Sequence, residues 1–356
     1  MTRKMATVRK IDSIREIPGA DSIECCTLGG WNVVTRKGEF TAGDLAVYCE
    51  IDSFIPTAIA PFLTKPGHSS KTFEGVAGER LRTVKLRGQL SQGLLLPVFN
   101  DVTGTYLMIY TDETGEYSLT VAEGADVSEA LGIVKWEMPM NAQLAGMAKG
   151  NFPSVIPKTD QERVQNLKQE IDQAITDNLQ FEVTEKLEGS SMTVYLIDGV
   201  FGVCSRNLDL KETEDNTFWQ VARRDGIEAK MRASPPGGDF AIQGELIGPG
   251  IQGNIYKLSK PEFRVFDVYS ISGGYYLTPS NRREFINVMG LLHVPVFKSD
   301  FMLTTETVAD LLQMAEGKSV MGTIAGPERE GIVFKQVDGG MTFKAISNRY
   351  LLKSND

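Results

Sequence analysis

Histidine is scarce in this chain, since only His68 and His293 occur among its 356 residues. A Ser-His-Asp hydrolase or a His-ligated metal centre would have to be built from these two, and we expect structural or surface roles for both. Cysteine is also rare, and no Cys-x-x-Cys pair occurs, which excludes zinc ribbons and thioredoxin-like redox pairs. The four cysteines are Cys25, Cys26, Cys49 and Cys204.

Long apolar runs are absent as well. No stretch approaches the ~20 apolar residues that span a bilayer. The basic N-terminal segment is not followed by a hydrophobic stretch, so a secretory signal is not expected. The sequence therefore predicts a cytoplasmic protein that does not bind membranes.

The net charge of −9 argues against a protein that simply coats nucleic acid. It does not exclude nucleic-acid binding through a local basic face. One segment offers such a face, because it places four basic residues within eight positions that hold no acid: Arg80, Arg82, Lys85 and Arg87. A solvated strand surface is the alternative interpretation of this segment.

The pattern along the chain indicates two domains. Residues 1–134 carry short β-type runs separated by turn residues, which predicts a small OB-like β-barrel. Residues 135–157 are rich in Met and Pro and are interpreted as a linker. Residues 158–356 form the second domain. We expect it to open with a helix whose N-terminus is a capping box at Thr159 and Glu162.

Two hairpins are predicted in the second domain, at the turns Asp198-Gly199 and Asp338-Gly-Gly340. Helices are expected around residues 214–230, 281–289 and 306–316. Gly248-Pro-Gly-Ile-Gln-Gly253 fits a dinucleotide fingerprint literally, but the short segment after it, which ends at Pro261, cannot supply the required helix. We therefore expect a glycine-rich loop there.

The most informative segment surrounds Lys186 and is predicted to be a strand, a tight turn and a second strand. A lysine amine with an unperturbed pKa near ~10.4 is a poor nucleophile at neutral pH. A site that desolvates the amine, or sets other cations beside it, makes it effective. Lys-x-[Asp/Glu]-Gly, here Lys186 to Gly189, is the signature of enzymes that carry a nucleotide on a lysine.

Later segments add groups that suit the same chemistry. Glu245 ends a predicted strand and Glu330 begins another, so two carboxylates are available. Lys344 lies on the returning strand of the second hairpin. The aromatic residues of Glu262–Asp267 could stack on a base.

In order and spacing, these segments resemble the motifs of the covalent nucleotidyltransferase superfamily of ATP-dependent ligases and capping enzymes. The correspondence covers roughly residues 184–347 and six motifs, namely Lys186-Leu-Glu-Gly189, Ser205-Arg206-Asn207, Glu245, Phe266-Asp267, Glu330-Gly331 and Lys344. DNA ligases and capping enzymes carry an OB domain after the last motif, whereas here the barrel-like domain precedes the first. This arrangement, together with Gly78–Gly93 and Lys158–Asn166, resembles the RNA ligases typified by Deinococcus and Naegleria enzymes.

The resemblance implies an α+β protein, with an N-terminal OB-like barrel and an ATP-grasp-like nucleotidyltransferase domain of antiparallel sheets and flanking helices. It implies that Lys186 is the catalytic residue and carries AMP. ATP and Mg²⁺ or Mn²⁺ would be the cofactors, with Glu330 and Glu245 as metal ligands. The implied ATP or AMP contacts are Glu188, Gly189, Arg206, Glu245, Phe266, Glu330 and Lys344.

Among these contacts, Glu188 would bind the ribose, Phe266 would stack on adenine, with Phe263 as the alternative, and Arg206 would contact phosphate. Lys344 would neutralise the α-phosphate and, with the metal, lower the pKa of Lys186. One position departs from the family pattern. The last motif often reads Lys-x-Lys, but Ile346 occupies the second position.

The predicted function is ATP-dependent joining of an RNA 3′-hydroxyl to a 5′-phosphate, in nick sealing or RNA repair, by a monomer. Two alternatives remain open. One is a DNA ligase or a capping-type nucleotidyltransferase, and the other is a non-catalytic OB-fold protein that binds nucleic acid.

At the position of the family's second lysine, where this chain has Ile346, the phosphate contact is missing. Lys335 or Lys353 could make that contact instead.

Overall fold

The structure is a computed structural model, and it describes residues 3–101, 103–112, 115–137, 146–233, 238–321 and 326–353. The chain divides into two compact units, Met1–Pro139 with Leu352–Asp356, and Met140–Leu351. Part of the predicted linker, residues 138–145, lies outside the described residues. Within the described ranges, no helix is long and apolar enough to cross a membrane.

The first unit is built almost entirely from short antiparallel strands. These are β1 Ala6–Lys10, β2 Ser13–Glu16, β3 Ile23–Leu28, β4 Trp31–Arg36, β5 Leu45–Cys49, β6 Ser53–Pro56, β7 Lys71–Phe73, β8 Val76–Arg80, β9 Val84–Leu86, β10 Gln89–Ser91, β11 Leu94–Pro97, β12 Phe99–Asn100, β13 Tyr106–Asp112, β14 Gly115–Thr120 and β15 Val134–Lys135. They form the separate sheets β1-β5-β11, β10-β9, β12-β13-β14, β15-β6-β8-β7 and β2-β3-β4. The predicted barrel is therefore not seen as one closed sheet in the described part of this unit. The buried core around Val8, Val47, Ile55 and Leu96 joins strands of several of these sheets.

The second unit contains a five-stranded and an eight-stranded sheet, and helices pack on both. Its strands are β16 Ala148–Asn151, β17 Glu162–Arg163, β18 Gln180–Lys186, β19 Ser190–Ile197, β20 Val200–Cys204, β21 Leu208–Leu210, β22 Phe240–Ile247, β23 Glu262–Ser270, β24 Tyr275–Tyr276, β25 Leu292–His293, β26 Val296–Met302, β27 Gly331–Gln336 and β28 Thr342–Ile346. Its helices are α1 Lys168–Thr176, α2 Thr217–Arg224, α3 Ile227–Ala233, α4 Pro279–Val288, α5 Val308–Ala315 and α6 Asn348–Lys353. This mixture of helices and strands agrees with the predicted class.

The larger sheet has the order β16-β21-β20-β19-β22-β23-β24, with β25 beside β23, and the smaller has the order β17-β28-β27-β18-β26. Side chains alternate between the two faces of each strand. On the smaller sheet, Phe181, Ile332 and Phe343 lie on the face that packs against α1 and α5. The opposite face carries Lys186 and Lys344, so apolar packing on one side leaves charged side chains on the other.

The local predictions hold at both hairpins. Asp198 and Gly199 adopt φ values of 48° and 74° between β19 and β20, as an Asp-Gly hairpin turn requires. The second hairpin joins β27 and β28. Helices α2 to α5 also lie where helices were expected.

One expectation near the start of this unit needs correction. The capping box at Thr159 is wrong, because Glu162 and Arg163 form a strand and α1 begins only at Lys168. The side chain of Glu162 instead accepts hydrogen bonds from Arg163 N and Asn166 Nδ2. Within the predicted linker, Ala148–Asn151 is a strand that pairs with β21.

Candidate active site

Lys186 is the last residue of β18 and lies beside an acidic residue from the next strand. Its Nζ donates a hydrogen bond to Glu330 Oε1 at 2.7 Å, and its side chain is 26% exposed. Burial lowers the pKa of Lys186, but the carboxylates of Glu330 and Glu245 outweigh this effect and raise it. The groups of the protein alone therefore raise this pKa, and the lowering expected from Lys344 together with a bound metal stays a prediction.

Two glycines allow the charged residues to meet. A Cβ on Gly331 would lie 2.3 Å from Ala345 O, so the residue after Glu330 must be glycine for β27 to approach β28. A Cβ on Gly189 would lie 2.4 Å from Leu246 O and 2.8 Å from Glu245 Cγ. The turn after Lys186 therefore contacts β22 closely, next to Glu245.

Glu245 is the second carboxylate at this point, and β22 pairs it with Ser191 of β19. Burial raises the pKa of Glu245 to about 8, and the nearby charge of Glu330 acts in the same direction, while Lys186 and Arg206 oppose it. Two carboxylates and one ammonium thus share a small volume, and a cation that joined them would favour the ionised form of Glu245.

Two tyrosines hold Glu188, the acidic residue of the turn. Its backbone N–H donates to Tyr256 Oη at 2.7 Å, and its carboxylate accepts a hydrogen bond from Tyr350 of α6. Burial raises the pKa of the Glu188 carboxyl, and the charge of Glu330 adds to this effect. Sequence reasoning missed both tyrosines, because nothing in their spacing connects them with Glu188.

Lys344 and Arg163 extend the charged face of the smaller sheet. Lys344 lies opposite Val333 on β27 and opposite Arg163 on β17, and Thr184, two residues before Lys186, also lies opposite Val333. Directly opposed residues project to the same face, so both cations share the face of Lys186. The charge of Arg163 lowers the pKa of Lys186. Arg163 was missed as a site residue because its parallel pairing with β28 joins segments far apart in sequence.

Ile346 lies on the same face, opposite Gly331, in the row that contains Lys186. It is buried, with 4% exposure. Lys335 and Lys353 were suggested as substitutes for the lysine that Ile346 replaces, but neither of them is shown to lie in this row. The Lys335 ammonium contacts Asp267 and Phe266, and Lys353 is the last residue of α6.

Of the two aromatic candidates, Phe263 is 3% exposed and belongs to the core beneath the helices. Phe266 is only partly buried and packs near Leu187 and Tyr256. Phe266 is therefore the aromatic residue on the side of the charged groups.

Arg206 is exposed, and its guanidinium donates to Asp160 Oδ2 at 2.8 Å. With Lys158, Ser191 and Gln243 it lines a recess. Its charge opposes the rise in the pKa of Glu245, which places it near that carboxylate.

The four basic residues proposed for nucleic acid separate into two environments within the first unit. Arg80 is bound to Asp52 at 2.6 Å and lies 4.0 Å from the ring centroid of Trp136. Arg82 lies between β8 and β9 and is partly buried. Lys85 and Arg87 are exposed on the hairpin of β9 and β10, where Val84 and Leu86 are also exposed.

The two carboxylates near Lys186 fit a divalent metal that is bound largely through the phosphates of a substrate. No group of three or more His, Cys, Asp or Glu side chains that could hold a metal occurs in the described ranges. Glu330 and Glu245 provide only carboxylate oxygens, which Mg²⁺ and Mn²⁺ accept together with phosphates and water.

Two models of known protein families match the chain, one in each unit. A model described as an OB-fold domain matches residues 5–98, and the model of the RNA ligase family matches residues 179–353. No curated protein matches the chain.

Solved structures of a Naegleria gruberi RNA ligase share 43% identity with the chain. A mutant of that ligase with ATP and Mn gives a TM-score of 0.85, over 99% of this chain and 100% of that one. A mutant with AMP and Mn gives 0.85 over 98% of each chain, and the ligase with pyrophosphate gives 0.85 over 100% of each.

Proposed function

The chain belongs to the RNA ligase family, and we propose that this ATP-dependent RNA ligase carries AMP on Lys186. The observation that supports this most directly is the position of the Lys186 ammonium, 2.7 Å from Glu330 Oε1, on a sheet face that also carries Lys344 and Arg163. Lys186 is followed by a turn whose glycine, Gly189, is required by contact with β22, whereas Lys344, the other lysine of the six motif segments, lies within β28.

In the first step, the unprotonated amine of Lys186 attacks the α-phosphorus of ATP. A P–N bond forms, the bond from the α-phosphorus to the bridging oxygen breaks, and pyrophosphate leaves. Because Glu330 and Glu245 raise the pKa of Lys186, the amine must lose a proton before attack. Neutralisation of these two carboxylates would promote that loss, and Arg163 already acts in the same direction.

We propose Glu330 and Glu245 as the residues that hold Mg²⁺ or Mn²⁺. When bound, the metal supplies positive charge for the phosphates. The Naegleria ligase structures with ATP or AMP contain Mn, which supports this assignment.

The remaining contacts follow from the position of each side chain. Lys344 would neutralise the α-phosphate from the face that it shares with Lys186. Glu188, held by Tyr256 and Tyr350, would accept hydrogen bonds from the ribose. Phe266 would stack on adenine, and Gly189, whose lack of a side chain lets the turn pack against β22, would contact the nucleotide through its backbone.

Two further steps complete the reaction. The 5′-phosphate of an RNA attacks the phosphorus of lysyl-AMP, which frees Lys186 and forms a phosphoanhydride. The RNA 3′-hydroxyl then attacks the 5′-phosphate phosphorus, forms the phosphodiester and releases AMP. In the recess, Arg206 and Lys158 would receive the 5′-phosphate, with Arg206 exchanging its exposed partner Asp160 for the phosphate.

The first unit would bind the RNA. We propose that its sheets belong to a partly open OB barrel, as OB folds commonly are, and that Lys85 and Arg87 contact phosphates of a nicked duplex. Arg80 and Arg82 are secondary candidates, because Arg80 is already paired with Asp52. The domain bounds 1–134, 135–157 and 158–356, the ATP-grasp-like description of the second domain and the monomeric state remain part of this proposal.

Incubation with α-labelled ATP and Mn²⁺ tests the first step. We expect label on the wild type and on Lys298→Ala, and none on Lys186→Ala. Absence of label on the wild type, or equal label on Lys186→Ala, would contradict the assignment. Labelling by GTP alone would instead favour a capping-type enzyme.

Nicked duplexes then test the substrate. We expect faster sealing when the 3′-hydroxyl strand is RNA than when it is DNA. Equal or faster sealing of an all-DNA nick would favour a DNA ligase, and labelling without any sealing would contradict end joining.

A further inference from the structure

Strand β23 contains a β-bulge at the proposed adenine-stacking residue. Asp267 lies opposite Gln243 of β22 and Val265 lies opposite Gly244, so Phe266 is the extra residue between two paired positions. A bulge interrupts the ladder and redirects a side chain, and it needs other contacts to hold it. The position of the Phe266 ring therefore depends on what holds this bulge.

Lys335 of β27 provides such a contact. Its Nζ donates a hydrogen bond to the Phe266 carbonyl oxygen at 2.8 Å and lies 2.5 Å from Asp267 Oδ1. The same ammonium is 5.5 Å from the centroid of the Phe266 ring. One buried side chain thus contacts the backbone, the ring and the following residue of the bulge.

Register separates Lys335 from the phosphate-binding groups. Lys335 lies opposite Glu182 on β18, whereas Gly331 lies opposite Lys186. Four residues of strand correspond to ~13 Å. Lys335 is therefore too far along the sheet to replace the lysine missing at Ile346.

A buried ion network keeps Lys335 in place. Asp267 Oδ1 is also 3.7 Å from Arg282 Nη1, and Arg282 is bound to Glu182, which is fully buried. Arg282 Nε donates to His293 Nε2 at 3.0 Å, and Arg283 binds Glu182 at 2.5 Å. The network joins β18 and β27 of one sheet to β23 and α4, so that Lys335 has a fixed anchor.

We propose that Lys335 is a positioning residue that holds the bulge at Phe266 and so sets the place of the adenine ring. This inference rests on the proposed function, because it needs Phe266 to stack on the base. Removal of the ammonium would release the Phe266 carbonyl and let the ring move. Recognition of the base would then weaken, while recognition of the phosphates would not.

The test compares ligands that use different ends of the site. For lysyl-AMP formation, Lys335→Met should raise the KM for ATP by about tenfold and leave kcat within about threefold. The inhibition constant of adenosine should rise by about tenfold, and that of inorganic tripolyphosphate should stay within about twofold. Equal rises for both inhibitors, or no rise for either, would overturn the inference.

A double-mutant cycle tests whether Lys335 acts through Phe266. Phe266→Leu should raise the KM for ATP, and adding Lys335→Met should raise it by less than about twofold more. Independent, additive effects would overturn the inference. Lys298→Met is the matched control, since Lys298 lies 5.4 Å from the ring of Phe301 on exposed β26, and it should change no constant by more than about twofold.

If Lys335→Met does not fold, Asp267→Asn weakens the same anchor with an isosteric side chain. It should raise the KM for ATP and the inhibition constant of adenosine by about three- to fivefold, without a change for tripolyphosphate. An unchanged adenosine constant would overturn the inference. Failure of the wild type to form lysyl-AMP would instead contradict the proposed function itself.

Discussion

The two ends of the candidate site are built in different ways. At the phosphate end, Lys186, Glu330 and Glu245 are partly accessible. The carboxylates of Glu330 and Glu245 raise the pKa of Lys186, and burial, together with the charge of Glu330, raises the pKa of Glu245. At the base end, Glu182 and Arg282 are almost fully buried in a network of mutually paired charges.

This difference indicates that the charged groups of the phosphate end serve the reaction, whereas those of the base end hold the fold together. Groups at the phosphate end must change partners during the reaction, and their partial exposure leaves room for a substrate or a metal to replace the contacts that they make now. Glu182 and Arg282 at the base end are paired with each other and almost fully buried, so the loss of either should be felt mainly as instability. We therefore expect substitutions at the phosphate end to reduce activity at constant stability, and those deep in the base end to reduce stability.

Arg282→Met should have the largest effect on stability. It leaves Glu182, with 0% exposure, paired only with Arg283, and removes the donor to His293 Nε2. We expect the free energy of unfolding to fall by about 3–5 kcal/mol in denaturant titration. Arg232→Met, which removes an exposed pair with Glu228, should cost less than about 1 kcal/mol. Similar losses in both variants would contradict the contrast.

Among substitutions that keep Lys186, Glu330→Gln should have the largest effect on activity. It removes the carboxylate that contacts Lys186 and the proposed metal ligand, and we expect the rate of lysyl-AMP formation to fall by about 100-fold or more. The melting temperature should stay close to that of the wild type. Glu170→Gln, on the exposed side of α1, should keep the rate within about twofold. A rate near wild type for Glu330→Gln would remove Glu330 from the mechanism.

Gly189→Ala probes the contact that joins Lys186 to β22. The added Cβ would lie 2.4 Å from Leu246 O, so the turn must move away from Glu245. We expect a loss of about 1–3 kcal/mol in stability and about tenfold in labelling rate. Gly150→Ala is the control, because a Cβ there meets no atom within 4 Å. Wild-type labelling by Gly189→Ala would show that this close contact is not required.

Ile346→Lys would place a further cation in the row of Lys186. A like charge lowers the pKa of an ammonium, so the acid limb of the pH-rate profile for lysyl-AMP formation should move to lower pH. We expect the KM for ATP to fall by a few-fold. An acid limb that stays in place or moves to higher pH would show that position 346 does not act on Lys186.

The smallest effect that we predict concerns His293 at the base end and is a change in how stability depends on pH. Burial and the charge of Arg282 lower the pKa of His293 from 6.5 to about 4. Between these values the unfolded chain binds a proton that the folded protein does not, so stability falls as pH falls below 6.5. We expect His293→Asn to remove about 1–2 kcal/mol of the loss between pH 7 and pH 5, and the exposed His68→Asn to remove none. Identical pH profiles for wild type and His293→Asn would contradict this account.

More of the phosphate end than of the base end could be predicted from the sequence. Lys186, Glu245, Glu330 and Lys344 belong to short ordered motifs, so their chemistry can be proposed without coordinates. The hairpin turns were also predictable, because Asp198 and Gly199 favour a specific backbone conformation.

Other features depend on pairing between distant segments, which no local pattern records. Arg163 reaches the site through a parallel pair of β17 with β28, and Tyr350 reaches Glu188 from α6. The Phe266 bulge arises from the register of β22 against β23. The predicted capping box at Thr159 is wrong because Glu162 and Arg163 pair as a strand with β28, and the local sequence pattern does not record this pairing.

The central claim is that Lys186 carries AMP, and mass spectrometry of the protein after incubation with ATP and Mn²⁺ tests it most directly. We predict that the intact protein gains the mass of one AMP, that the added mass lies on the peptide containing Lys186, and that pyrophosphate reverses it. AMP on a different lysine, or an intact mass that does not change while RNA ends are still joined, would contradict the account.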